Sequence, residues 1–265
     1  MLRLASALSC IVAGAVLYAA IHVPAVADVE LRVLEGFMGL PGKAAAFDLV
    51  SMFNPVPFAV LSLSLVAGAA IARRPRAAAA ALVTMLGAGV TTQVLKPLLA
   101  FQRDYPEAHF MGPVAYPSGH TTAVMSLALA LIIVSPARLR PLASAAGGLL
   151  TVATVFSILV LGSHYPSDIV GGLLVATAWA CAASALLRLE WTPSLSGAAL
   201  GGSVLAAAGV FAVALRPADA FAYATANTTF VVGALAIAAG ALVLSGSVPA
   251  PIGARRRPRS PRARG

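Results

Sequence analysis

Eight stretches of nearly unbroken apolar residues run along the chain, at about 4–21, 55–72, 77–95, 119–135, 142–162, 167–187, 196–215 and 229–247. Each reaches or approaches the roughly 20 residues that an α-helix needs to cross the hydrocarbon of a bilayer. Short polar segments separate them. The pattern therefore predicts an all-α, polytopic membrane bundle of about eight spanning helices, since a helix satisfies its own backbone in lipid. The first stretch also resembles a secretory leader, because Ala25-Val26-Ala27 is a small-residue run of the cleavable kind. We read it as a retained helix; cleavage would leave the remaining topology unchanged. Residues 28–48 mix charges with Leu31, Leu34, Phe37 and Leu40, and Gly39 to Gly42 interrupts them. Two readings stand for this piece: an amphipathic helix along the outer interface, or a simple linking loop.

Composition agrees with the pattern. Hydrophobic residues make up 60% of the chain and charged residues 10%, against about 25% charged in an ordinary soluble domain. The net charge of +9 raises the question of nucleic acid, but its distribution answers differently. If the eight segments alternate, Arg3, Arg73, Arg74, Arg76, Arg138, Arg140, Arg188 and the six arginines after Ala254 share one side. The other side receives only Arg32, Lys43, Lys96, Arg103 and Arg216, a split of thirteen against five. Basic loops stay in the cytoplasm, so both termini are expected there, in a protein of the bacterial cell membrane. No nucleic-acid partner is expected; the basic tail, 251–265, is expected to be disordered and to act as a topology anchor. Cys10 and Cys181 lie inside apolar segments and read as small buried hydrophobes rather than as a disulfide or metal ligands.

The polar residues that interrupt this lipid-compatible chain converge on the outer side. Lys96 and Arg103 follow the third segment, and alone they are ordinary interfacial cations that could also hold a phosphate dianion. Ser118-Gly119-His120 opens the fourth. Ser118 suits an N-cap, Gly119 allows close backbone approach, and the free N–H groups of a helix start attract anions. His164 precedes Asp168 by four residues. With Pro166 at the helix start, the Asp168 carboxylate can reach back to one imidazole nitrogen and leave the other as a nucleophile. A zinc site would need a third convergent ligand, for which His109 is the spare outer-side candidate; His22 reads as interfacial.

Taken together, Lys96, Arg103, Pro117-Ser118-Gly119-His120, Ser157, His164 and Asp168, in this order and spacing, resemble the type-2 phosphatidic acid phosphatase superfamily. The resemblance covers about residues 50–190. It implies a six-helix phosphatase core, 51–190, preceded by an N-terminal membrane helix and outer interfacial segment, 1–50. The C-terminal transmembrane hairpin, 191–250, would be an addition to that core. It also implies roles. His164 would attack phosphorus, Asp168 would orient it, and His120 would protonate the leaving oxygen. Lys96, Arg103, Ser118 and Gly119 would bind the phosphoryl group, with no cofactor or metal. The substrate would be a membrane lipid phosphate or pyrophosphate, of polyprenyl or glycerolipid type, at the outer leaflet. Oligomeric state is open. The haloperoxidases of the superfamily share these motifs but are soluble. Two positions depart from the family pattern: Asp104 stands where proline follows the arginine, and Ile158 where an arginine follows the serine of the third motif. The missing arginine opens an alternative, a catalytically weak or inactive lipid-phosphate-binding or transport relative. It also raises the question whether Arg32 or Arg216 substitutes.

Overall fold

The computed structural model describes residues 2–103, 112–189, 195–215 and 217–247. Asp104, His109, Arg216 and the basic tail lie outside them. Among the described residues the chain forms α1 (Leu2–Ala20), α2 (Pro24–Met38), α3 (Lys43–Ser51), α4 (Pro55–Ile71), α5 (Pro75–Leu98), α6 (Gly119–Val134), α7 (Arg140–Val160), α8 (Pro166–Leu186), α9 (Leu195–Leu215), α10 (Pro217–Ala226) and α11 (Thr228–Gly246), with no strand. Proline stands in the first turn of α2, α4, α5, α7 and α8. There its missing N–H costs nothing and its fixed φ suits the helix.

All eight apolar segments are helical, but they are not equivalent as spans. Six helices, α1, α5, α7, α8, α9 and α11, are long and apolar enough to cross a membrane. A seventh span exists if α3 and α4, bent by 53° at their junction, count as one. The eighth segment, α6, has 16 residues and rises about 24 Å, short of a hydrocarbon core of about 30 Å. Residues 28–48, left open between helix and loop, form most of α2, the turn after it and part of α3. The segment after α9 holds the short, exposed α10 rather than a plain loop.

The core sits between α5, α6, α7 and α8, where Met125, Leu129, Ile132 and Ile133 of α6 meet Ala80, Ala88, Val152, Leu173, Ala176 and Ala180. Small residues on the neighbours let backbones approach closely, the usual basis of helix association in lipid. α1 lies on α8, and α9 and α11 pack on α7. Large apolar side chains such as Leu8, Ile11, Val60, Leu86 and Val90 point outward, as a lipid-facing surface requires.

The two ends of the bundle are chemically opposite. At one end arginines donate to carbonyls at helix C-termini: Arg3 to Ser184 O at 2.9 Å, Arg74 to Val134 O, and Arg140 to Ser135 O at 3.3 Å. Such cations suit the negative end of a helix. At the other end lie the C-termini of α1, α5 and α7 and the N-termini of α6 and α8, with the histidines.

Candidate active site

The geometry of α7 and α8 sets His164. α7 closes in a Schellman motif, with Ser163 N donating to Ile158 O at 3.1 Å and Gly162 N to Leu159 O at 2.9 Å. Gly162 supplies the left-handed residue this ending needs, at φ +65°. His164 follows immediately, and α8 starts at Pro166. Asp168, fully buried in the first turn of α8, accepts from Tyr165 N at 3.0 Å and from His164 Nδ1 at 3.3 Å through the same oxygen, Oδ2. A carboxylate oxygen accepts, so Nδ1 is the donor of this pair and Nε2 is the ring nitrogen left for a ligand.

Ser118 and His120 are locked to this loop through backbone. Ser118 N donates to Asp168 O at 2.9 Å. A Cβ at Gly172 would fall 2.8 Å from Ser118 O and 2.9 Å from Thr121 Cβ, so the contact between α8 and the α6 start exists only because residue 172 is glycine. Ser118 is the N-cap expected of it, its Oγ accepting from Thr121 N at 3.4 Å. The Thr92 and Thr122 hydroxyls, 3.0 Å apart, tie α5 to α6. Lys96 lies in the last turn of α5, which extends beyond the expected end at 95. Its Cε is 3.9 Å from where a Gly119 Cβ would be. His120 is within electrostatic range of both His164 and Lys96. Lys96, Ser118, Gly119, His120, His164 and Asp168 are thus one constellation.

Arg103 joins it through anion partners. Its Nη2 donates to Asp168 Oδ1 at 2.7 Å and to Ser167 Oγ at 3.2 Å, and its Nη1 to Glu30 Oε2 at 3.1 Å. The guanidinium lies 4.2 Å above the Tyr165 ring, a cation–π arrangement that fixes its plane.

Two residues in the site were not singled out by the motifs. Asn54, at the bend between α3 and α4, stands at an N-cap position but makes no side-chain cap; its Oδ1 lies 3.1 Å from His120 Nε2 instead. The Asn-Pro pair before an apolar run signals a helix start, and only tertiary structure shows that the side chain is spent on a histidine. Glu30 belongs to the buried face of α2, with Val33, Leu34 and Phe37, and it also accepts from Ser167 N at 2.6 Å. Burial pushes its carboxyl above the ordinary carboxylate value, against the pull of Arg103 and the Ser167 hydrogen bond. A carboxylate at apolar spacing, i, i+3, i+4, i+7, is the one signal in the sequence.

Ile158 is fully buried among Val33, Leu34, Phe37, Tyr165 and Ile169. Arg32, weighed as a substitute for the missing arginine, is on the exposed side of α2, where its Nε donates to Asp28 O at 3.3 Å. It has no ion-pair partner among the described residues. His22 stacks on Phe101, ring centroids 4.3 Å apart. Cys10 and Cys181 are free thiols. No group of three or more His, Cys, Asp or Glu among the described residues could hold a metal ion.

Residues 77–191 match the model of the PAP2 superfamily, the family that the motifs led us to expect. Among solved structures the chain is similar to the first transmembrane PAP2 type phosphatidylglycerolphosphate phosphatase from Bacillus subtilis. Identity is 17% and the TM-score 0.59, over 69% of this chain and 96% of that one. That likeness is one of fold. No curated relative matches. Glu30 and Asn54 both lie outside the family-matched residues.

Proposed function

We propose that this protein is an integral membrane phosphatase that hydrolyses a lipid phosphate or pyrophosphate at the outer leaflet through a phosphohistidine. The observation that carries the reading is the His164–Asp168 pair at the start of α8, bonded by backbone to the Ser118-Gly119-His120 turn. His120, at the start of α6, is within electrostatic range of both His164 and Lys96, and a helix N-terminus and a lysine are groups that attract phosphate.

In the first step the His164 Nε2 lone pair forms a bond to phosphorus as the bond to the leaving oxygen breaks. Asp168 stabilises the cation that develops on the ring, and His120 gives its proton to the leaving oxygen. In the second step His120 takes a proton from water, the resulting hydroxide attacks phosphorus, and the N–P bond breaks to return His164 and release phosphate. Lys96, the Arg103 N–H groups not held by carboxylates, Ser118 and the Gly119 amide face the charge on the phosphoryl oxygens. No step calls on a metal. A site at the end of a lipid-facing bundle suits a substrate that stays anchored in the bilayer. The basic residues at the opposite end support an extracytoplasmic site.

The test is phosphate release from a panel of polyprenyl and glycerolipid phosphates by the purified protein in detergent, with EDTA present. Wild type is expected to turn over at least one lipid. Rapid acid quenching with labelled substrate is expected to trap an acid-labile phosphoenzyme that His164→Ala cannot form. Undiminished turnover by His164→Ala sinks the mechanism. The second reading, a lipid-phosphate binder without turnover, is favoured by Ile158, and it predicts phosphate binding with no release.

A further inference from the structure

α2 buries one face, Glu30, Val33, Leu34 and Phe37. Three of these positions are apolar and dock the helix; the fourth carries a carboxylate into the protein. A buried carboxylate is costly unless it is fully partnered, and Glu30 is: Arg103 Nη1 lies 3.1 Å from Oε2, and Ser167 N lies 2.6 Å from Oε1. Ser167 N is one of the first-turn N–H groups of α8 that no helix carbonyl can satisfy. Arg103 itself sits on a stretch with no regular structure, so its side chain has little backbone scaffolding. Both Nη2 protons go to Asp168 and Ser167, and one Nη1 proton goes to Glu30. The Nε proton and the second Nη1 proton remain for another ligand.

We propose that Glu30 is a positioning residue of the phosphate site, holding the Arg103 guanidinium against the α8 start so that its remaining N–H groups face the phosphoryl oxygens. The proposal rests on the phosphatase reading for its substrate. It adds a residue from the N-terminal helix, 47 positions before the family-matched region begins at 77. The docking of α2 is then part of assembling the site. A chain with Ile158 where the superfamily pattern has an arginine depends on Arg103 the more, and an Arg103 fixed in one orientation serves it better than a mobile one.

The experiment is a double-mutant cycle on Glu30→Ala, Arg103→Ala and the double variant, with Glu30→Gln alongside. Two quantities are read in detergent: kcat and KM on the best lipid of the panel, and protection from thermal unfolding by inorganic phosphate. Glu30→Ala should lower kcat/KM by about tenfold to a hundredfold, the usual cost of losing a group that orients a ligand-contacting residue. Phosphate protection should fall with it. Glu30→Gln, which keeps the length and an acceptor, should lose less. Should Glu30→Ala not fold, the cycle is run with Glu30→Gln. In the Arg103→Ala background the Glu30 change should cost little more, because it acts through a side chain already gone. Losses that multiply in the double variant, or a Glu30→Ala protein with wild-type values, overturn the proposal. If wild type binds phosphate but releases none from any lipid, the hydrolase reading fails while the coupling is still read from protection. If it does neither, both fall.

Discussion

At position 158 the chain has a fully buried isoleucine, and its surroundings say what an arginine side chain would meet there. The side chain is enclosed by Val33, Leu34, Phe37, Tyr165 and Ile169. From the sequence, restoring the arginine should raise turnover, since the other groups proposed to bind phosphate are present. The packing argues the other way. A guanidinium in this cluster has no carboxylate of its own and would have to push α2 aside, and a buried unpaired charge at the membrane is costly. Ile158→Arg is therefore expected to lower the thermal midpoint in detergent and to leave phosphate release unimproved. Faster release with an unchanged midpoint would show that the long side chain can leave the cluster and reach the phosphate. At the same scale, Ser118, Gly119, His120, His164 and Asp168 were legible because their spacing is fixed by local helix starts. Glu30 and Asn54 were not, because each is a single polar residue whose partner is more than 60 positions away.

Among the elements, α8 does the most to build the site, and it does so through the glycine pair Gly171-Gly172. A Cβ on Gly171 would lie 2.6 Å from the Tyr116 ring, and one on Gly172 would strike Ser118 O. These glycines seat the α6 turn on α8 and bring the two histidine loops together. Gly172→Ala is expected to cost about 1–3 kcal/mol, the range for overpacking a tight contact. It should also lower kcat more than it raises KM, because the misplacement falls between His120 and His164. Thermal unfolding and steady-state kinetics on the same preparation check both parts. An alanine variant with wild-type kcat would mean that the turn is not held by this contact. The helices themselves were readable from apolar runs with proline in the first turn. Their inequality was not: α6 looked like any other span, yet it is shorter than its neighbours, and α3 and α4 meet at a bend that places Asn54 beside His120.

For the whole molecule, the sidedness inferred from basic residues makes a direct prediction. Ala137 lies at the arginine-rich end and Ala218 in α10, after an odd number of predicted crossings. In a protein with no other reactive cysteine, a cysteine at 218 is expected to label with an impermeant thiol reagent in intact cells, and one at 137 only after lysis. Labelling of 137 alone inverts the topology and places the site in the cytoplasm. The split of charge between the two ends has a structural counterpart: Arg3, Arg74 and Arg140 each hold carbonyls at helix C-termini. These arginines thus serve the fold, whichever side of the membrane they occupy.

By itself the sequence determined that the chain is an all-helical membrane protein, where its long apolar helices begin and which histidines lie at one end. Those properties come from local chemistry: apolar runs must be helical in lipid, prolines and caps start helices, and a four-residue spacing joins a carboxylate to an imidazole. Tertiary structure decided what surrounds those groups. It put Glu30 and Asn54 into the site and Arg103 between two carboxylates. It also set Ile158 in an apolar cluster and left Arg32 on the exposed side of α2. Each of these depends on how helices distant in sequence dock and rotate against one another, which follows from packing summed over whole faces and from no single motif.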